Sequence, residues 1–172
     1  MTKSELICRE IYRQAFCDEN SEFEDNLFSL CYKYCKTLNI EGNPVSMLFS
    51  LPCNLVENGQ KTDAFYIYAA ATLENHRGKG YMQKLINNVL NCNDAFFFLR
   101  PSTDSLIEFY RKLGFKEVKT SLKNSSCPKI YPKENFDKLI NTGIECDKTD
   151  FVLMYYKEQK ELYNLNFSYS ME

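Results

Sequence analysis

Residues 74–86 read ENHRGKGYMQKLI and hold two glycines, Gly78 and Gly80, beside Arg77, Lys79 and the only histidine of the chain, His76. Before this stretch, residues 63–73 (DAFYIYAAATL) are apolar on both faces, the pattern of a strand central in a sheet. After it, Met82, Leu85, Ile86, Val89 and Leu90 recur at helical spacing. Residues 95–99 (AFFFL) then form a short buried strand. Strand, glycine turn, helix, strand is a crossover, so the two strands should run parallel, with a right-handed connection. The first turn of a helix has backbone N–H groups without intrahelical partners, and its dipole favours an anion there. Gly78 and Gly80 let backbone approach a bulky phosphate, and Arg77 and Lys79 add charge. The turn reads as a pyrophosphate cradle or as a tight connection.

Outward from this core, Pro101-Ser102-Thr103-Asp104 opens another helix, with Ser102 or Thr103 as N-cap. Its apolar face is Leu106, Ile107, Tyr110 and Leu113; Gly114 ends it, and residues 115–119 read as a strand. Upstream, Thr2 with Glu5 and Ser21 with Glu24 each fit a capping box before a helix. The first helix presents Cys8, Ile11, Tyr12, Ala15 and Phe16, and the second a stripe from Leu27 to Leu38, with a break near residues 17–20. Residues 44–51 (PVSMLFSL) are strand-like, and Asn58-Gly59 signals a hairpin. Residues 120–150 are polar, with a short helix expected near 134–140; residues 151–156 (FVLMYY) read as a strand and the last dozen as a tail.

The 172 residues suggest one domain, and 44% hydrophobic with 26% charged residues is ordinary for a globular chain. A net charge of −2 and a pI of about 5.6 argue against a nucleic-acid binder and lean towards a cationic substrate. No apolar run approaches the roughly 18 residues that span a bilayer, and the charged N-terminus is no signal peptide. Eight cysteines with no CxxC pair read as free thiols in a reducing cytosol, so a cytoplasmic location is expected. Cys31 and Cys35 read as two metal ligands a turn apart or as small apolar members of the Leu27–Leu38 stripe; the stripe is the reading adopted, with no metal.

Three phosphate-binding designs compete for the turn. A P-loop needs GxxxxGK followed by Ser or Thr, which is absent, and of the dinucleotide pattern GxGxxG only GxG is present. The third is a coenzyme A loop. Arg77-Gly78-Lys79-Gly80-Tyr81-Met82 resembles the signature of the GNAT N-acetyltransferase superfamily, Gln or Arg, two residues, Gly, one residue, then Gly or Ala. Met82 departs from it, as in enhanced-intracellular-survival-type acetyltransferases, which are similar in this respect. Residues 106–115 (LIEFYRKLGF) resemble the family's second signature, one strand after the loop helix, and residues 151–157 look like its closing strand.

The resemblance covers residues 45–119 best. It implies an α/β (α+β) fold: a mixed, mostly antiparallel sheet with a splayed parallel strand pair, flanked by helices. It further implies a single acyl-CoA N-acyltransferase domain over 1–172, with a helical part at 1–43, a cofactor-binding core at 44–119, and a variable segment, closing strand and tail at 120–172. Coenzyme A pantetheine would pair with the backbone of Ala70, Ala71 and Thr72, and its pyrophosphate with amides from Arg77 through Met82. Thr103 stands where the family often has a cofactor-contacting Asn, and Glu74 where it often has proline. Tyr110 matches the usual general acid. A phenol of pKa about 10 can protonate or hydrogen-bond a leaving thiolate whose thiol has a pKa of about 8.5; alternatively Tyr110 is only core. No general base is identified. His76 reads as a surface residue, and Tyr66 or Tyr68 could orient water.

The expected activity is transfer of acetyl from acetyl-CoA to a primary amine, directly in a ternary complex, since no cysteine is placed for an acyl-enzyme. The acceptor is a small-molecule or peptide amine. The competing reading is a non-catalytic coenzyme A or acyl-CoA sensor or interaction module. Neither nucleic acid nor membrane is an expected partner; a homodimer through the tail or an edge strand is compatible with the sequence.

Overall fold

The computed structural model describes residues 1–16, 21–57, 59–92, 94–118, 129–133 and 152–157. The expected helix near 134–140, the break at 17–20, the tail and Asn58 lie outside these residues. The chain divides into two compact units, Met1–Ser50 with Ile67–Asn93, and Leu51–Tyr66 with Asp94–Glu172. No described helix is long and apolar enough to cross a membrane.

The first unit begins with α1 (Lys3–Phe16) and α2 (Ser21–Cys31). The Thr2 hydroxyl caps α1 by accepting from the Glu5 amide at 3.2 Å. Glu24 does not complete the second expected capping box. Its carboxylate is buried and accepts from Arg13 at 2.7 Å and 2.8 Å and from Arg9 at 3.1 Å, tying the two helices together. The Arg9 guanidinium also stacks over Phe28, 4.6 Å from its centroid. Beneath this layer Tyr12 meets Phe28 edge-on, and Phe28 meets Phe49 the same way.

The expected stripe from Leu27 to Leu38 is not one helix. After α2 a short turn, Tyr32–Tyr34, leads into a strand, β1 (Cys35–Ile40), paired antiparallel with β2 (Asn43–Glu57). Glu41 and Gly42 connect them with φ of +50° and +78°. That is the two-residue turn whose twist suits a hairpin, and it draws residues 35–40 onto the sheet despite their helical spacing. Cys31 and Cys35 therefore do not share a helix face.

A second hairpin joins β2 to β3 (Gln60–Thr72) through Gly59, at φ +79°. Both strands run through the two units. From Thr72 the chain turns into α3 (Tyr81–Asn91), which buries Leu85, Ile86, Val89 and Leu90 as its spacing predicts.

The second unit holds β4 (Phe96–Leu99), parallel to β3, then α4 (Asp104–Lys112), β5 (Lys116–Val118), β6 (Lys129–Pro132) and β7 (Leu153–Tyr156). The hydrogen-bonded order is β1-β2-β3-β4-β7-β5, with β6 also on β2. β7 lies antiparallel to both β4 and β5, so the sheet is mixed and mostly antiparallel, with helices flanking it. β6, absent from the sequence reading, pairs Lys129–Pro132 with Val56–Cys53. Its Pro132, which has no N–H to give a ladder, is the kind of residue a sheet edge tolerates.

Candidate active site

In the first unit the site elements are the end of β3, the glycine turn and the start of α3. Along β3, Ala64 and Tyr66 are buried, then Ile67, Ala69 and Ala71, so the inward-facing phase slips by one residue. Ala69 has φ +50°, uncommon outside glycine, so the backbone of the strand is irregular there. The parallel ladder with β4 runs from Ala64–Phe96 to Tyr66–Phe98 and stops there. Ala70, Ala71 and Thr72 thus lie past it. The Thr72 hydroxyl bonds that of buried Ser46 on β2 at 2.8 Å, and the Leu73 amide donates to the Val45 carbonyl.

Gly78 and Gly80 have φ of +73° and +74°, and a Cβ at either would meet nothing within 4 Å. Backbone angle, not crowding, demands glycine here. Gly80 is the N-cap of α3 and supplies no side-chain cap; the first bond of the helix runs from the Lys84 amide to the Gly80 carbonyl at 3.0 Å. Amides at Tyr81, Met82 and Gln83 therefore precede the helical ladder with no capping group. Lys79 is exposed and has no ion-pair partner among the described residues. Successive amides in such a turn form a concavity suited to phosphate oxygens.

Arg77 is used differently from the simple charge expected of it. Its guanidinium donates to the Thr72 carbonyl at 3.1 Å and to the Gln14 carbonyl at 3.4 Å. Gln14, in the last turn of α1, was not identified in the sequence. Its side-chain oxygen also accepts from the Glu74 amide at 3.2 Å. The only signal for it is general: the last carbonyls of a helix need outside donors. An open hollow of about 400 Å³ is lined by Gln14, Leu73, Glu74 and Asn75. His76 pairs with Asn75 and lies beside the Tyr81 ring.

In the second unit, α4 carries Thr103 and Tyr110. The Thr103 hydroxyl accepts from the Leu106 amide at 3.4 Å and bonds Ser105, so it caps the helix. At the other end, Phe115 donates to the Tyr110 carbonyl and Gly114 to that of Arg111, a Schellman closure with Gly114 at φ +90°. Glycine suits this left-handed position, where a Cβ would also press on the Tyr156 ring at 3.2 Å. Tyr110 is 7% exposed, between Phe109 and Phe115. Burial pushes its phenol up to about 12. Its hydroxyl has no hydrogen-bond partner among the described residues. Among those residues, no three His, Cys, Asp or Glu side chains cluster as metal ligands.

Residues 3–118 match the family model described as an acetyltransferase (GNAT) domain. A GCN5-related N-acetyltransferase from Anabaena variabilis superposes with a TM-score of 0.58 at 21% identity, over 68% of this chain and 31% of its own. A probable N-acyltransferase from Enterococcus faecalis gives 0.62 at 16%, over 94% and 52%. An Arabidopsis thaliana protein, solved with a bisubstrate analogue joining coenzyme A and acetyl to the peptide MVNAL, gives 0.54 at 18%, over 91% and 95%. The chain thus spans about a third of the first protein and half of the second. At these identities the likeness is one of fold. The family match over residues 3–118 is more specific, and by it the chain belongs to the GNAT acetyltransferase family.

Proposed function

We propose that the protein is an acetyl-CoA-dependent N-acetyltransferase that moves acetyl to a primary amine by direct transfer. The observation that carries this reading is the N-terminus of α3, without a side-chain cap and entered through two left-handed glycines. Backbone amides at Gly80, Tyr81 and Met82 would receive the pyrophosphate, with Lys79 adding charge. Gly78 shapes the turn, and Arg77 braces it from behind. Ala70, Ala71 and Thr72 would pair with the pantetheine amides, their small side chains allowing close approach.

The amine nitrogen attacks the thioester carbonyl, the C–S bond breaks, and the sulfur leaves with a proton. Tyr110 suits the last event as a hydrogen-bond donor. With its pKa near 12 against about 8.5 for a thiol, full transfer of its proton to the thiolate costs roughly 5 kcal/mol, so stabilising the developing charge is its larger contribution. Among the described residues no group accepts from this buried phenol, which supports its reading as a donor towards the cofactor. Thr103, occupied as an N-cap, would reach the cofactor only with its remaining hydrogen-bonding capacity.

The acceptor class is a small-molecule or peptide amine, the latter supported by the peptide analogue bound to the Arabidopsis protein. Coenzyme A release measured against a panel of amines and peptide N-termini tests the proposal. Amine-dependent release supports it. Binding of coenzyme A without turnover on any amine would favour a non-catalytic acyl-CoA-binding module.

A further inference from the structure

The residues that join β3 to the two glycines close on Gln14, in the last turn of α1. The Gln14 side-chain oxygen accepts from the Glu74 amide at 3.2 Å, and its main-chain carbonyl accepts from the Arg77 guanidinium at 3.4 Å. Between these two points Glu74–His76 forms one short turn. The His76 amide donates to the Leu73 carbonyl at 2.8 Å, and the Arg77 amide to the Glu74 carbonyl at 3.2 Å. The Gln14 carboxamide is itself oriented, because its nitrogen donates to the Glu10 carboxylate one helical turn earlier, at 2.9 Å. With the nitrogen held by Glu10, the oxygen is the end presented to Glu74. Glu10, Gln14 and Glu74 are all exposed, so these bonds serve no core. α1, the turn and α3 belong to the same compact unit.

We propose that Gln14, oriented by Glu10, is a positioning residue that sets the phosphate-binding turn before coenzyme A arrives. The inference rests on the acetyl-CoA reading of that turn. One α1 residue takes the first amide of the link, at Glu74, and the side chain that ends it, at Arg77. Gly78 follows at once, so the path of the chain into the glycines is fixed from α1. A link ordered in advance removes part of the entropy cost that binding would otherwise carry. The Gln14 carbonyl, near the end of its helix, gains an outside donor in the same contact, and the Arg77 cation suits that end of the helix dipole. Gln14 acts through Glu74 and Arg77, so it bears on cofactor affinity rather than on the chemical step.

Amide hydrogen exchange of the ligand-free full chain, calorimetric titration with coenzyme A and thermal unfolding test this together. In Gln14→Ala the Glu74 amide should exchange faster, and coenzyme A should bind about 3- to 10-fold more weakly, the loss of one hydrogen bond. The unfolding midpoint should hold, because Ala is a good helix former and Gln14 is exposed. Gln14→Glu should also weaken binding, since it removes the donor and sets two carboxylates one turn apart. Adding Glu10→Gln reverses donor and acceptor within the pair while leaving an oxygen for Glu74, and should restore the affinity. Unchanged exchange at Glu74, unchanged affinity in Gln14→Ala, or no recovery in the double variant would overturn the proposal. A fall in affinity matched by a fall in the unfolding midpoint would overturn it too. An unaltered chain that gives no heat with coenzyme A would sink the acetyl-CoA reading and this inference with it. The other failures leave that reading standing.

Discussion

The ring of Tyr110 packs against that of Phe115 with centroids 5.7 Å apart, across the turn in which the Phe115 amide donates to the Tyr110 carbonyl. The hydrophobic contact and the hydrogen bond belong to one helix-ending motif, so the closure of α4 also fixes the phenol. Gly114 is the residue that permits it.

If the Tyr110 hydroxyl meets the leaving thiolate, Tyr110→Phe keeps the packing and loses only the donor. Steady-state turnover should fall by about 10²-fold or more, while coenzyme A affinity measured by calorimetry is unchanged. Equal turnover in the two proteins would assign Tyr110 to the core alone.

Alkaline stability gives a second reading of the same residue. The phenol titrates near 10 when unfolded and about 12 when folded, so the unfolded chain loses the proton first. The stabilisation is fully present below pH 10 and is lost between 10 and 12, about 2–3 kcal/mol in all. Denaturant midpoints for Tyr110→Phe should fall less steeply over that window than those of the unaltered protein.

Gly80 carries φ +74° with open space where a Cβ would go. Gly80→Ala should therefore cost only the backbone strain, about 1–2 kcal/mol, which thermal unfolding reads as a drop of a few degrees. Coenzyme A affinity should fall as well, because relieving the strain turns the amides of the α3 N-terminus away from a common centre. A stability loss with unchanged affinity would separate the turn from the cofactor.

Glu24→Ala leaves the buried Arg9 with its 3.4 Å contact to Glu5, its 2.7 Å contact to the exposed Asp25 and its stacking on Phe28. Removing one partner of a buried ion pair costs about 3–5 kcal/mol, and the presence of those contacts puts the expected loss at the low end. Chemical denaturation of the variant measures it.

The strand-turn-helix core was legible because several signals agreed there. Residues 63–73 were apolar on both faces, the glycines punctuated the chain, and Leu85, Ile86, Val89 and Leu90 kept helical time. Thr103 and Gly114 marked the ends of α4 for the same reason. β1 was missed because Leu27, Cys31, Cys35 and Leu38 fall at helical spacing by coincidence, while the deciding feature, the positive φ of Glu41 and Gly42, is a property of the paired hairpin. β6 gains its order from β2 and has little pattern of its own. The pair of arginines around Glu24 was hidden because the same acidic residue fits a capping box. Arg77 was found, but its role as a brace depends on the carbonyls of Thr72 and Gln14, which no local pattern announces. The positive φ of Ala69 has no sequence signal beyond three consecutive small residues.

Amide NMR during a titration with coenzyme A tests the central claim most directly. The account predicts that the largest shifts fall on Gly78 through Gln83 and on Ala70 through Thr72, saturating together at one site. Resonances in those two segments that stay unmoved while coenzyme A is added, or shifts confined to other parts of the chain, would contradict it.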